Sequence, residues 1–177
     1  MSGHNKWSKV KNKKAVTDAK KGKIYTKMAK VIAIEVKKAG GNVNSPGVQA
    51  AVKKAREYNV PNDNIERALK KGADKNTAAM ESILYEAYGP GGVAVMIEVL
   101  TDNRNKAAAE VKHILTENGS ALAAPGSASW AFEKSVEEGF VPKMMTPISE
   151  EDGTKLEALI ENLEDNDEVQ EVYTNAE

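Results

Sequence analysis

The sequence predicts an α+β protein in two parts: a basic arm and three-helix bundle over residues 1–75, and an acidic ferredoxin-like antiparallel α+β sandwich (ββαββαβ) over residues 80–177. Three observations predict it. Apolar residues recur at three- and four-residue spacing as far as residue 69, then give way beyond residue 80 to β-branched runs separated by glycine-rich turns. Charge changes sign at the same place. Residues 1–75 hold 19 Lys/Arg against 6 Asp/Glu, a net of +13, whereas residues 76–177 hold 6 against 20, a net of −14, so the formal total of −1 conceals a strongly divided chain.

The first fifteen residues carry Lys6, Lys9, Lys11, Lys13 and Lys14 with no sustained apolar period, the pattern of an extended arm. A helix is expected from about Thr17, with Ile24, Met28, Val31, Ile32 and Val36 on one face and a stop at Gly40-Gly41. Ser45-Pro46 opens a second helix, an N-cap followed by proline at the first helical position, which offers Val48, Val52, Ala55 and Tyr58 to the interior. A third helix starts near Asp63, where Asp63 and Glu66 have capping-box spacing, packs Ile65 and Leu69, and stops at Gly72.

After a polar linker at 74–79, strands are expected at 83–88 and 93–100, joined by a turn at Gly89-Pro90-Gly91-Gly92. A helix over 104–117 follows, with Ala107, Val111, Ile114 and Leu115 on one side, Thr101 or Asp102 as its cap and Gly119 past its end. Strands near 127–134 and 140–146 come next. The last helix opens at Ser149, with Asp152 three residues on, buries Leu156, Leu159, Ile160 and Leu163, and leads into a final strand over 169–173.

Composition excludes several classes. No stretch approaches the roughly 18 to 20 apolar residues of a membrane helix, and the N-terminus lacks a signal sequence's apolar run, so a cytoplasmic protein with no membrane partner is expected. The chain has no cysteine, and only His4 and His113 offer an imidazole, so neither a metal nor another cofactor is expected. No nucleophile, base and orienting group assemble from the sequence, which argues against an enzyme and a small-molecule substrate. The acidic cluster at 161–168 has the pattern of a solvated helix end. Oligomeric state leaves no trace in the sequence.

The charge division points to a polyanion partner. Lys6, Lys9, Lys11, Lys13, Lys14, Lys20, Lys21, Lys23 and Lys27 are interleaved with Trp7 and Tyr25. Cations attract phosphates and aromatic rings stack on exposed bases, so the mixture suits RNA at least as well as duplex DNA. Trp7 and Tyr25 are also readable as rings that cap the bundle, Tyr25 more so than Trp7 because it borders the apolar stripe. Lysine's dominance over arginine favours backbone attraction over bidentate base reading.

Four separated segments carry a family resemblance: GHNKWSKVKNKKAVTDAKKGKIYTK, VPNDNIERALKKG, YEAYGPGGVAVMIEVLTDNRN and VQEVYTNAE. In this order they resemble the YebC/PmpR family, whose mitochondrial relative activates translation of cytochrome c oxidase. The chain departs from that family by a deletion. Trp130-Ala131-Phe132-Glu133-Lys134 runs through a few residues to Val141-Pro142, so the middle domain that family members carry there is missing. The resemblance implies a nucleic-acid-binding regulator of gene expression, with ribosomal RNA the favoured partner and DNA the alternative. It also makes Arg104 and Asn105, in the TDNRN segment, candidates for a second contact. A protein-interaction adaptor, with the lysines serving solubility, is the reading from another class.

Overall fold

The computed structural model describes residues 18–177, which divide into two compact units, one ending at Glu81 and one spanning Ser82–Glu177. The first contains α1 (Asp18–Lys38), α2 (Pro46–Glu57) and α3 (Asn62–Ala73). Their apolar stripes meet in one core of Ile32 and Val36 from α1, Val48, Val52 and Ala55 from α2, and Ile65 and Ala68 from α3. Fully burying a side chain such as Ile32 stabilises the fold by about 1.5–3 kcal/mol.

Helix ends follow local chemistry. The N–H of Gly41 bonds the Val36 carbonyl at 2.9 Å, with Gly40 and Gly41 both left-handed, which closes α1. Ser45 accepts from the Val48 N–H at 3.4 Å to open α2 ahead of Pro46. Tyr58, expected in the interior, is instead 49% exposed. The chain turns at Asn59 (φ 58°), the N–H of Val60 bonds the Ala55 carbonyl at 3.0 Å, and Val60 takes the buried place.

Two expectations for α3 fail. The helix begins at Asn62 behind Pro61 with no side-chain cap, so Asp63 sits in the first turn, where its charge favours the helix dipole. Gly72 does not stop the helix but lies buried inside it. A Cβ there would stand 2.6 Å from both the Ala33 carbonyl oxygen and the Val36 Cβ, so glycine is what lets α3 approach α1.

The second unit has β1 (Glu81–Tyr88), β2 (Ala94–Thr101), α4 (Arg104–Glu117), β3 (Ala121–Ala123), β4 (Phe132–Ser135), β5 (Gly139–Pro142), α5 (Glu150–Glu164) and β6 (Val169–Thr174). The α+β class and the placement of the helical region ahead of the sheet are as the sequence predicts. In detail the order among the described residues has one strand more, ββαβββαβ, and the main sheet runs β3-β1-β2-β6, while β4 and β5 form a separate two-stranded sheet. Between β1 and β2 the chain makes the expected turn, with Gly91 and Gly92 at φ 74° and 77° and the Gly89 N–H on the Val93 carbonyl.

Alternation along β2 divides the unit into layers. Val93, Val95, Ile97 and Val99 lie against the buried faces of α4 (Ala107, Val111, Leu115) and α5 (Leu156, Leu159, Leu163). Ala94 and Met96 point to the other side, where Ala128, Ala131 and Phe132 cover them together with the half-buried Phe140 and Tyr173. Burial on both faces explains why β2 is almost continuously apolar. The α4 cap is Asn103, whose side chain accepts from the Lys106 N–H at 3.1 Å, rather than Thr101 or Asp102. Thr101 is buried and holds the turn by accepting from the Asn103 N–H at 2.9 Å. Ser149 caps α5 as expected, accepting from the Asp152 N–H at 3.1 Å.

Candidate nucleic-acid interface

The helical unit positions the cations by helix periodicity. Lys20, Lys23 and Lys27 follow one another at i, i+3 and i+7 on α1, which places them on one face, opposite the stripe that buries Ile32 and Val36. Lys21 is exposed at the same end of the helix. Tyr25 turns away from the lysine face and packs against the bundle core while also bordering a groove between α1 and α3. Lys6, Trp7, Lys9, Lys11, Lys13 and Lys14 lie outside the described residues.

Two further cations of this unit are engaged in contacts within it. Lys37 donates to the Thr77 carbonyl at 2.6 Å and the Asp74 carbonyl at 3.3 Å, so it fastens the segment after α3 to the end of α1. Lys38 pairs with Glu35 at 2.8 Å. On α3, Arg67 and Lys71 are exposed at i, i+4 spacing and border the groove beside Tyr25. Sequence alone does not single them out. Their spacing is visible there, but the groove exists only because α1 and α3 pack side by side.

In the other unit, Arg104 and Asn105 are both exposed in the first turn of α4, just after the Asn103 cap. His113 is exposed on the same helix, with Nε2 3.3 Å from a Glu117 carboxylate oxygen. Among the described residues no group of three or more His, Asp or Glu side chains is placed to hold a metal ion, and no helix is long and apolar enough to cross a membrane.

Comparison with known proteins gives a consistent picture. A family model described as the TACO1/YebC protein N-terminal domain matches residues 5–75. A second, described as the TACO1/YebC second and third domain, matches 80–137 and 134–176, two pieces that meet at the turn between β4 and β5. A relative in Dictyoglomus turgidum, named "Probable transcriptional regulatory protein", is 42% identical over all of this chain and 72% of its own. One of the same name in Fervidobacterium nodosum is 44% identical over 99% of this chain and 93% of its own. That alignment spans 235 positions against 177 residues here, so the relative has a stretch without counterpart. The crystal structure of a conserved hypothetical protein from Aquifex aeolicus superposes with a TM-score of 0.80 at 30% identity, covering 90% of this chain and 91% of that one.

Proposed function

The chain belongs to the TACO1/YebC family, and from that premise we propose that it is a non-enzymatic regulator of gene expression that acts by binding nucleic acid, with structured RNA of the ribosome as its main partner. The observation that carries the reading is the helical part, whose net charge of +13 over residues 1–75 includes the lysine face of α1. Phosphate backbones reward such a surface by releasing counterions. Lysine outnumbers arginine 17 to 2 in these residues, which favours attraction to a folded backbone over the reading of base edges. The acidic second unit limits nonspecific adhesion and offers Arg104 and Asn105 as a smaller second contact.

In this proposal the chain is a short form. The two matched pieces of the family model meet at the β4–β5 turn, where a middle domain would leave and re-enter, and the two-stranded ribbon closes that gap with the pairs Phe132 to Pro142 and Ser135 to Gly139. A DNA-binding transcriptional regulator is the second reading, favoured by the relatives' printed names.

Cosedimentation with ribosomes at near-physiological salt, beside binding to random duplex DNA, separates the two. Ribosome binding that exceeds duplex binding is expected; equal and weak binding to both overturns the RNA reading. Replacing Lys9, Lys11, Lys13 and Lys14 with alanine is expected to flatten the plot of log affinity against log salt by about 3, at roughly 0.7 to 0.9 for each phosphate that the variant no longer neutralises. An unchanged slope removes the arm from the interface.

A further inference from the structure

We infer that the groove between α1 and α3 is a pocket for one unstacked nucleotide of a single-stranded RNA segment, a site distinct from the lysine face of α1; the inference rests on the RNA-binding reading above. The groove has a volume of about 410 Å³, within the roughly 300–1,000 Å³ range of clefts that hold a small ligand. Small residues line it, Ala29 and Ala33 from α1 and Ala68 from α3, and Tyr25 borders it. Lys30, Arg67 and Lys71 line it, and no carboxylate does among the described residues.

The chemistry of this lining selects its ligand. An apolar lining beside an aromatic residue suits the flat face of a base, and the exposed cations Arg67 and Lys71 suit the phosphates on either side of it. Arg67 is held against its own helix, because Nη2 donates to the Asn64 side-chain oxygen at 2.9 Å and Nε to the Asp63 carbonyl at 3.3 Å, which leaves further N–H groups of the guanidinium for a phosphate. A duplex keeps its bases stacked and cannot place one between two helices, whereas a loop or single strand can.

Gly22 adds a second observation. It lies within α1 at the groove, where glycine is a poor helix former, and among the described residues no heavy atom lies within 4 Å of the place where its Cβ would sit. A side chain there would enter open space. Glycine at this border position therefore adds no bulk beside the groove, at a cost to helix stability.

The test uses the full chain with a short polyuridine RNA, the same sequence as single-stranded DNA, a duplex RNA and polyglutamate. The variants are Gly22→Leu, which adds bulk at the groove border and leaves its cations in the sequence, and the double variant Arg67→Ala/Lys71→Ala; the control is Lys53→Ala/Lys54→Ala, two exposed lysines of α2 outside the groove. Melting curves confirm that each variant folds. Affinity for single strands is expected to fall about tenfold in both groove variants and under about threefold in the control, with duplex binding little changed. Ultraviolet crosslinking is expected to attach uridine to Tyr25 in the native chain and to lose that product in Gly22→Leu. If the native chain binds RNA but groove and control variants behave alike, the groove assignment falls and the RNA reading stands. If the native chain binds no RNA even at low salt, both fall. Tighter binding of polyglutamate than of RNA, abolished in the groove variants, makes the pocket a peptide site and overturns the inference.

Discussion

Replacing Glu86 with alanine is expected to destabilise the second unit by roughly 3 kcal/mol, a large share of a small domain's stability. Glu86 is 6% exposed, and its carboxylate accepts from the backbone N–H groups of Gly126 at 2.6 Å, Ala128 at 3.0 Å and Ser129 at 2.6 Å. Those donors come from a single loop. It begins as a type II turn with Pro125 and Gly126 (φ 89°) at its centre, closed by the Ser127 N–H on the Ala124 carbonyl at 3.0 Å. Charge-assisted bonds are each stronger than neutral ones, and alanine leaves three donors without their acceptor. Tyr88 and Trp130 both donate to the Ser127 carbonyl, so the loop that covers Ala94 and Met96 loosens as a whole.

Urea unfolding followed by Trp130 fluorescence, in a Trp7→Phe background, measures the loss. Glu86→Gln keeps one acceptor oxygen and is expected to lose about half as much. The pH dependence follows from the same contacts. Burial pushes the Glu86 carboxyl up, but the hydrogen bonds from Gly126, Ala128 and Ser129 outweigh burial and hold it below its ordinary value of 4.5. A carboxyl held low in the folded state contributes stability that is present in full above its unfolded pKa and is lost as pH falls through the folded one. The gap in stability between native and Glu86→Gln protein is therefore expected to be constant near neutrality and to shrink with acidification below pH 4.5. A gap that stays constant into that acid range refutes the role of the charge.

Periodicity made the fold legible wherever burial follows a repeating stripe. Ile32 and Val36, the Val48–Val52–Ala55 series and the Leu156–Leu159–Leu163 series are all buried because a helix with those spacings has one apolar side. The Ser45 and Ser149 caps and the Gly89–Gly92 turn were legible for a similar reason, since each is decided within a few residues. Glu86 was not. In sequence it is a polar residue of an alternating strand, as a solvent-facing position would be, and only the loop forty residues later turns it into a buried anchor. The short strand Ala121–Ala123 has no β-branched residue and pairs because β1 offers it an edge, and the stretch expected as a strand from residue 127 is bent into a turn and a short helical segment by that same anchor. On the candidate interface, lysine spacing placed a cationic face on α1, but the partnership of Tyr25 with Arg67 and Lys71 depends on how two helices meet.

The packing of those two helices gives the second large effect. Gly72→Ala adds a single methyl group near the end of a helix, and by helix propensity alone it would stabilise α3 by about 1 kcal/mol. The structure predicts the opposite sign. The new Cβ would lie 2.6 Å from the Ala33 carbonyl oxygen and 2.6 Å from the Val36 Cβ, distances at which something must move, and the obstacles belong to the backbone of α1 and a fully buried valine. Neither can swing aside as the tip of a long side chain would, so α3 has to move away from α1. Overpacking of this kind costs about 1–3 kcal/mol, against the propensity gain. Gly72→Ala is thus expected to lower the Tm of the helical unit, followed by far-ultraviolet circular dichroism, and Gly72→Val to lower it further. In the Gly22→Ala variant, where the methyl group meets no atom of the described residues within 4 Å, propensity decides and the Tm is expected to rise. Opposite signs for the same chemical change at two helical glycines isolate the close approach of α1 and α3 as the cause. That approach also sets the width of the groove beside Tyr25, so Gly72→Ala is expected to weaken single-strand binding under conditions in which the protein remains folded, whereas Gly22→Ala leaves the spacing of the helices unchanged.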